Sequence, residues 1–232
     1  MSMKNQMDYY SPPTDSAQLC KLPIVRFMHF IEEHYKLKFG KSLHRWSCDR
    51  YDDFWEAVLR FCGVLLNTGY SQRSFEVVES VRIDKIPKWF IGAHLNYAEN
   101  LLYAHRNADP KKIAVIEAKS AEEFSIFDYE RIRSDVKKLA TSLRAEGVSA
   151  GDRIAGYLTN SYETAVAMLA TAAIGAVWSS ASVDFGTLGV LDRFQQLEPI
   201  VLFAAIGTTY KRKAFVLVDK IIDIMKGSYL IV

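Results

Sequence analysis

The sequence predicts an α/β fold: a partial, doubly wound, mainly parallel sheet preceded by a helical collar. Three observations carry that prediction. From about residue 109 onward, short apolar runs alternate with amphipathic stretches of helical spacing, the order that a parallel sheet with crossover helices requires. Before that point, apolar residues recur at helical spacing alone. Finally, the 232 residues are half hydrophobic, with 29 basic against 27 acidic side chains, which suffices for a substantial core.

Residues 1–18, with Pro12, Pro13 and several polar residues, read as a flexible leader. Residues 19–108 read as a helical N-terminal region. Within it, Ile24, Phe27, Met28, Ile31 and Tyr35 predict a helix from about residue 22 to 39, stopped by Gly40. RYDDFWEAVLRFCG predicts a second, with Tyr51, Phe54, Trp55, Val58 and Phe61 in one apolar stripe and Asp52 and Asp53 at its positive end. IPKWFIGAHLNYAENLL carries a Pro and a Gly, then a short amphipathic helix from about Asn96 to His105.

Residues 109–232 form the α/β part. KIAVIEA and EFSIF flank a polar turn and read as a hairpin. In DYERIRSDVKKLATSLRAEG, Ile132, Val136, Leu139 and Leu143 make one helical face, and Gly147 supplies the stop. RIAGYLT is an apolar strand. The uncharged run 164–183 matches the ~20 residues that a bilayer span needs. Asn160 and Glu163 have capping-box spacing, however, and Gly175 separates a helix from the strand AVWSSAS. A buried helix and strand, with no membrane span, is therefore expected. VLDRFQQLEP, IVLFAA, KAFVLVDKIIDIMKG and SYLIV continue as helix, strand, helix and strand, and the sheet is expected to be incomplete at the C-terminus.

Charge and cysteine usage narrow the function. A net charge of +2 offers no basic face for nucleic acid. Cys20, Cys48 and Cys62 lack CxxC spacing, so neither a disulfide framework nor a zinc knuckle is expected. The opening residues have no apolar core of a signal peptide. A reducing cytosol fits both features.

Open α/β sheets bind ligands at the carboxyl ends of their strands, here the loops 159–161, 180–186 and 205–213. None carries GxGxxG, GxxxxGK[ST] or a GxSxG elbow. The five histidines have no partners at metal-ligand spacing. No catalytic residue and no metal site is therefore assigned. TTYKRKAF is the best anion-binding candidate: Lys211, Arg212 and Lys213 could hold a phosphate through charge-assisted hydrogen bonds. The alternative reading is a solvated basic face opening a surface helix.

WFIGAHLNYAENLL resembles the signature near the start of acetyl-CoA-synthetase-type enzymes of the adenylate-forming superfamily. GDRIAGYLTNSYETAVAMLATAAIGAVWSSASVDFG resembles the strand–helix–strand that follows in them. WSSASVDFGTLGVLDRFQQLEP is most similar to the acetoacetate-activating members of that branch. The resemblance runs from about Leu43 to the C-terminus. It implies ligase chemistry in which acetoacetate attacks the α-phosphate of ATP, with Mg2+ accompanying the nucleotide, and the thiol of CoA then displaces AMP. It carries Lys211, Arg212 and Lys213 over as CoA phosphate contacts. The loop at Val183 and Asp184 is carried over as lying near CoA. There, however, those enzymes have small glycines, and the charge of Asp184 would repel a phosphate. The family's phosphate loop, adenine-binding motif, ribose-binding Asp, hinge and catalytic Lys are not among these residues. The expectation is an N-terminal part of an acetoacetate–CoA ligase, inactive by itself. The alternatives are a binding or regulatory partner of a full-length synthetase, or a CoA-binding module.

Overall fold

The computed structural model describes residues 15–36, 43–67, 76–103, 109–118, 123–210 and 213–227. The chain divides into two compact units, one of residues 1–64 with 70–93, the other of residues 65–69 with 94–232.

The first unit is helical up to residue 61, with α1 (Ser16–Leu19), α2 (Pro23–Tyr35), α3 (Leu43–Asp49) and α4 (Tyr51–Phe61). Its residues 76–93 carry a 3-10 turn at Ile83–Lys85 and an antiparallel bridge between Val78 and Trp89. Pro23 starts α2, where its missing N–H is not needed. The helix ends at Tyr35, short of the predicted residue 39, because Lys36 turns left-handed at φ 56°. Gly40, the predicted stop, lies outside the described residues. Helix α3 was not legible in the sequence. Phe27, Ile31 and Ala57 are buried, with Phe54, Val58 and Phe61 packed against them. The predicted stripe on α4 therefore splits. One residue turns the helix by about 100°, which carries Trp55 off the face of Phe54. Trp55 and Tyr51 stay 45% and 40% exposed and meet Trp89 edge-on, at 6.2 and 6.0 Å between ring centres.

The second unit begins with α5 (Tyr97–Tyr103), whose first turn is capped by Asn96: its Oδ1 accepts from the Glu99 amide at 3.0 Å. Strands β1 (Ile113–Ala118) and β2 (Phe124–Asp128) form the expected antiparallel hairpin, with Ile116 opposite Ile126. Helix α6 (Tyr129–Ala145) follows, capped by Asp128, and the chain leaves it through Gly147 at φ 89°.

Strands β3 (Arg153–Leu158), β4 (Val177–Ser182) and β5 (Val201–Ala204) form a parallel three-stranded sheet in the order β4-β3-β5. Helices α7 (Tyr162–Ala173) and α8 (Thr187–Leu197) are the crossovers. Alternate side chains of the strands serve two cores. Ile154, Trp178, Val201 and Phe203 face a core shared with α5, α6 and α7. Ala155, Tyr157, Ala181 and Leu202 face another, shared with α8 and the last helix, α9 (Val218–Gly227). Covering on both faces explains why these strands are so apolar.

That arrangement resolves the uncharged run. Helix α7 has 12 residues, or about 18 Å at 1.5 Å per residue, against a hydrocarbon core of about 30 Å. Among the described residues no helix is long and apolar enough to cross a membrane. Gly175 (φ 80°) breaks the run between α7 and β4. The cap lies one residue later than predicted: the hydroxyl of Ser161, not the side chain of Asn160, accepts from the Thr164 amide.

A second correction concerns residues 213–216. They begin no helix; they are strand β7 (Lys213–Val216), paired antiparallel with β6 (Gly207–Tyr210). Thr208 and Thr209 pair opposite Phe215 and Ala214, so that one β-branched–aromatic pair supports the ladder, and the helix starts only at Val218. The predicted strand 228–232 lies outside the described residues.

Candidate functional site

At the carboxyl edge of the parallel sheet the chain leaves a cleft of about 1070 Å³. Three segments wall it. The turn after β3 contributes Thr159, Asn160 and Ser161; the end of the β1–β2 hairpin contributes Glu117 and Glu123; the β6–β7 hairpin contributes Thr208 and Thr209. Topology requires this convergence, since β3 and β5 are neighbours and run parallel, so their outgoing loops emerge on the same side.

The floor of the cleft is ordered by α7. Ser161 ends β3's turn and caps the helix. Thr164 donates its hydroxyl to the Thr159 carbonyl at 2.7 Å, closing the turn. Glu117 reaches across from the hairpin and accepts from the Tyr162 amide at 3.4 Å, placing a negative charge at the positive helix end. Tyr162 itself stacks flat on Phe127, 3.7 Å between centres and 9° between planes. Its hydroxyl donates to Oδ2 of Asp135 at 3.0 Å. Burial first, and then the hydrogen bond to Asp135, push the Tyr162 phenol up to about 12. The hydrogen bond from Arg131 holds the Asp135 carboxyl below its usual range, aided by Tyr162.

The residues singled out in the sequence are dispersed. Lys211 and Arg212 lie outside the described residues. Lys213 is exposed and pairs with residue 210 at the end of the β6–β7 hairpin. Val183 is buried. Its carbonyl accepts from the hydroxyl of buried Tyr157 at 3.0 Å, with the Phe185 carbonyl 3.2 Å from the same oxygen. Desolvation, and then the charge of Asp184, raise the Tyr157 phenol above its ordinary value. Asp184 is exposed, and its carboxylate accepts from Ser182 at 3.1 Å. Strands β4 and β5 flank β3 on opposite sides, so the loop at 183–184 and the hairpin carrying Lys213 leave the sheet from different strands. The cleft is lined by the second of these and not the first.

Sequence reasoning missed Glu117 and Glu123, and it placed Thr208 and Thr209 in the ligand loop 205–213, within TTYKRKAF, without giving them a role. Glu117 did leave a signal, as the one charged residue within the apolar strand IAVIEA. The two threonines stand in the expected ligand loop, but the hairpin that fixes their positions comes from pairing with Phe215 and Ala214, which periodicity does not show.

The AMP-binding enzyme family matches residues 102–227. The chain is 42% identical over 225 residues to an acetoacetyl-CoA synthetase of Caenorhabditis elegans, covering 96% of this chain and 31% of that one. It is 39% identical over 206 residues to an acetoacetyl-CoA synthetase of Danio rerio, covering 87% and 30%. Among solved structures, an acetoacetyl-CoA synthetase from Streptomyces lividans superimposes with a TM-score of 0.82 at 38% identity, over 92% of this chain and 33% of that one. The chain thus spans about a third of the length of the relatives it matches.

Proposed function

Because the chain belongs to the AMP-binding enzyme family, we propose that it supplies the N-terminal part of an acetoacetate–CoA ligase, which joins acetoacetate to CoA at the expense of ATP in the cytosol. The observation that carries the reading is the likeness at about 40% identity along nearly the whole chain to acetoacetyl-CoA synthetases, together with a parallel sheet whose carboxyl edge opens into a large cleft.

The described residues do not fit ATP with Mg2+. Among them no group of three His, Cys, Asp or Glu side chains could hold a metal ion. The described lining of the cleft contains hydroxyls, an amide and two carboxylates, and no Lys or Arg. A triphosphate needs prepositioned donors and a metal to meet its charge, so no step of adenylation is derived through these side chains. In this reading the described residues build the framework of the ligand edge, and the chain by itself is expected not to activate acetoacetate.

Acetoacetate-dependent release of pyrophosphate from the purified chain tests this. The expected result is none above a protein-free control, and turnover comparable with a full-length acetoacetyl-CoA synthetase would overturn it. A second reading, association with a longer synthetase chain, is favoured by one observation. The outer face of the β1–β2 hairpin presents Ile116, Phe124 and Ile126, each more than half exposed, and contiguous apolar surface of this kind marks interaction sites. Co-purification of the chain with a full-length synthetase supports it, and its absence removes it.

A further inference from the structure

A second cavity, of about 480 Å³, opens between α5, α6 and the end of α7, away from the carboxyl edge of the sheet. Its volume falls in the range of small-molecule sites, about 300–1,000 Å³. The composition is unusual. The floor is small and apolar, with Ala98, Ala140 and Ala173 among its residues, while α6 contributes three cations, Arg133, Lys137 and Arg144. Among the described lining residues a single carboxylate, Glu99, opposes them.

The three cations differ in how free they are. Arg133 is committed: its Nε donates to the Leu102 carbonyl at 2.8 Å, and its guanidinium lies 4.9 and 5.2 Å from the ring centres of Tyr103 and Tyr129. Lys137 and Arg144 are exposed, and among the described residues neither side chain has an ion pair. They are seven residues apart on α6, two turns or about 10 Å along its axis, and Ala140 lies between them on the cavity wall. The adjoining end of α7 would disfavour an anion through its free carbonyls. The Nδ2 of Asn96 instead donates to the carbonyls of Ala172 and Ala173 at 2.9 and 3.2 Å. The cavity therefore offers two positive groups without ion-pair partners among the described residues, two helical turns apart, with an apolar strip between them and a capped helix terminus beside them.

We propose that this cavity binds an elongated organic dianion with an apolar middle, its two acidic groups meeting Lys137 and Arg144 and its chain lying over the alanine floor. Charge-assisted hydrogen bonds at two ends select for charge. The separation of the ends selects for length.

The test is a titration of the 232-residue chain, labelled with ¹³C in its alanine methyl groups, with suberate. Succinate serves as a shorter dianion and octanamide as an uncharged chain of equal length. Suberate is expected to shift the methyls of Ala98, Ala140 and Ala173 saturably, with an affinity at least tenfold above either comparator. The double substitution Lys137→Ala/Arg144→Ala removes only exposed side chains, so the fold persists, and it is expected to weaken suberate at least tenfold. Glu99→Gln removes the opposing charge and is expected to tighten binding. Octanamide matching suberate, succinate matching suberate, a double variant within twofold of the parent, or a Glu99→Gln variant that binds no better would each overturn the proposal.

Discussion

Gly156 has no side chain because Trp178 occupies the space one would need. A Cβ built on Gly156 would lie 2.8 Å from Cη2 and from Cζ2 of the indole, closer than carbon atoms approach without displacement. The two residues stand on neighbouring strands, β3 and β4, and the indole reaches over the glycine towards Phe203 on the far side, 6.2 Å between ring centres. One aromatic thus spans the central strand and joins the two outer ones. Gly156→Ala is expected to push the indole off β3 at a cost of about 1–3 kcal/mol. Urea denaturation of a double-mutant cycle with Trp178→Leu checks it. If the alanine costs as much beside leucine as beside tryptophan, the contact is not the cause. The sequence RIAGYL shows a glycine in a strand, and this signals a close approach. It does not show which group approaches, since the tryptophan is 22 positions away and is brought in only by strand pairing.

Helix α7 carries the same lesson at the level of an element. Its interior is apolar on every side, with Val166, Ala167, Leu169 and Ala170 all buried, so it supplies packing and no polar face. Within it, the buried Thr171 returns its hydroxyl to the Ala167 carbonyl at 2.8 Å. What orients the helix is the polar pin at its start, where Tyr162 joins β2 through Phe127 and α6 through Asp135. With the phenol pushed up to about 12, the folded chain holds its proton more tightly than the unfolded one. The stabilisation is fully present below about pH 10, the ordinary range of tyrosine, and is lost as pH rises towards 12. Tyr162→Phe keeps the stack and removes the hydrogen bond, so it is expected to cost about 1 kcal/mol at neutral pH. The gap between parent and variant should close between pH 10 and 12. A gap constant with pH, measured by urea denaturation, would remove the phenol from this role. The helix, its glycine stop and its burial were legible from hydrophobicity. The cap was misplaced by one residue, because Asn160 and Ser161 are both capable acceptors and the geometry of the turn decides between them.

At the scale of the whole chain, thermal stability in the presence of CoA tests the basic cluster of the carboxyl edge. If the basic cluster at Lys211, Arg212 and Lys213 is the phosphate contact that the family resemblance implies, CoA should raise the thermal midpoint of the 232-residue chain. Mass action gives about 2.7 kcal/mol at a hundredfold excess over Kd. Arg212→Ala/Lys213→Ala should abolish most of that rise. An equal rise in the variant would place CoA elsewhere on the edge, and a larger rise in Asp184→Gly, which removes a negative charge from the loop after β4, would then place it there.

By itself the sequence determined the class of the fold, the order of the elements from β1 to β5 and the family, since hydrophobic periodicity and long motifs are local properties that survive without coordinates. It also determined that the uncharged run is no span, through a single glycine. Tertiary structure alone decided three things. It turned residues 207–216 into a hairpin, because a strand is stabilised by its partner and not by its own residues. It brought Glu117, 42 residues before Thr159 along the chain, from the β1–β2 hairpin to the expected loops at Thr159 and Thr208. And it left Lys137 and Arg144 over a floor of alanines drawn from three helices. Each depends on contacts between distant segments, and no spacing within one segment records them.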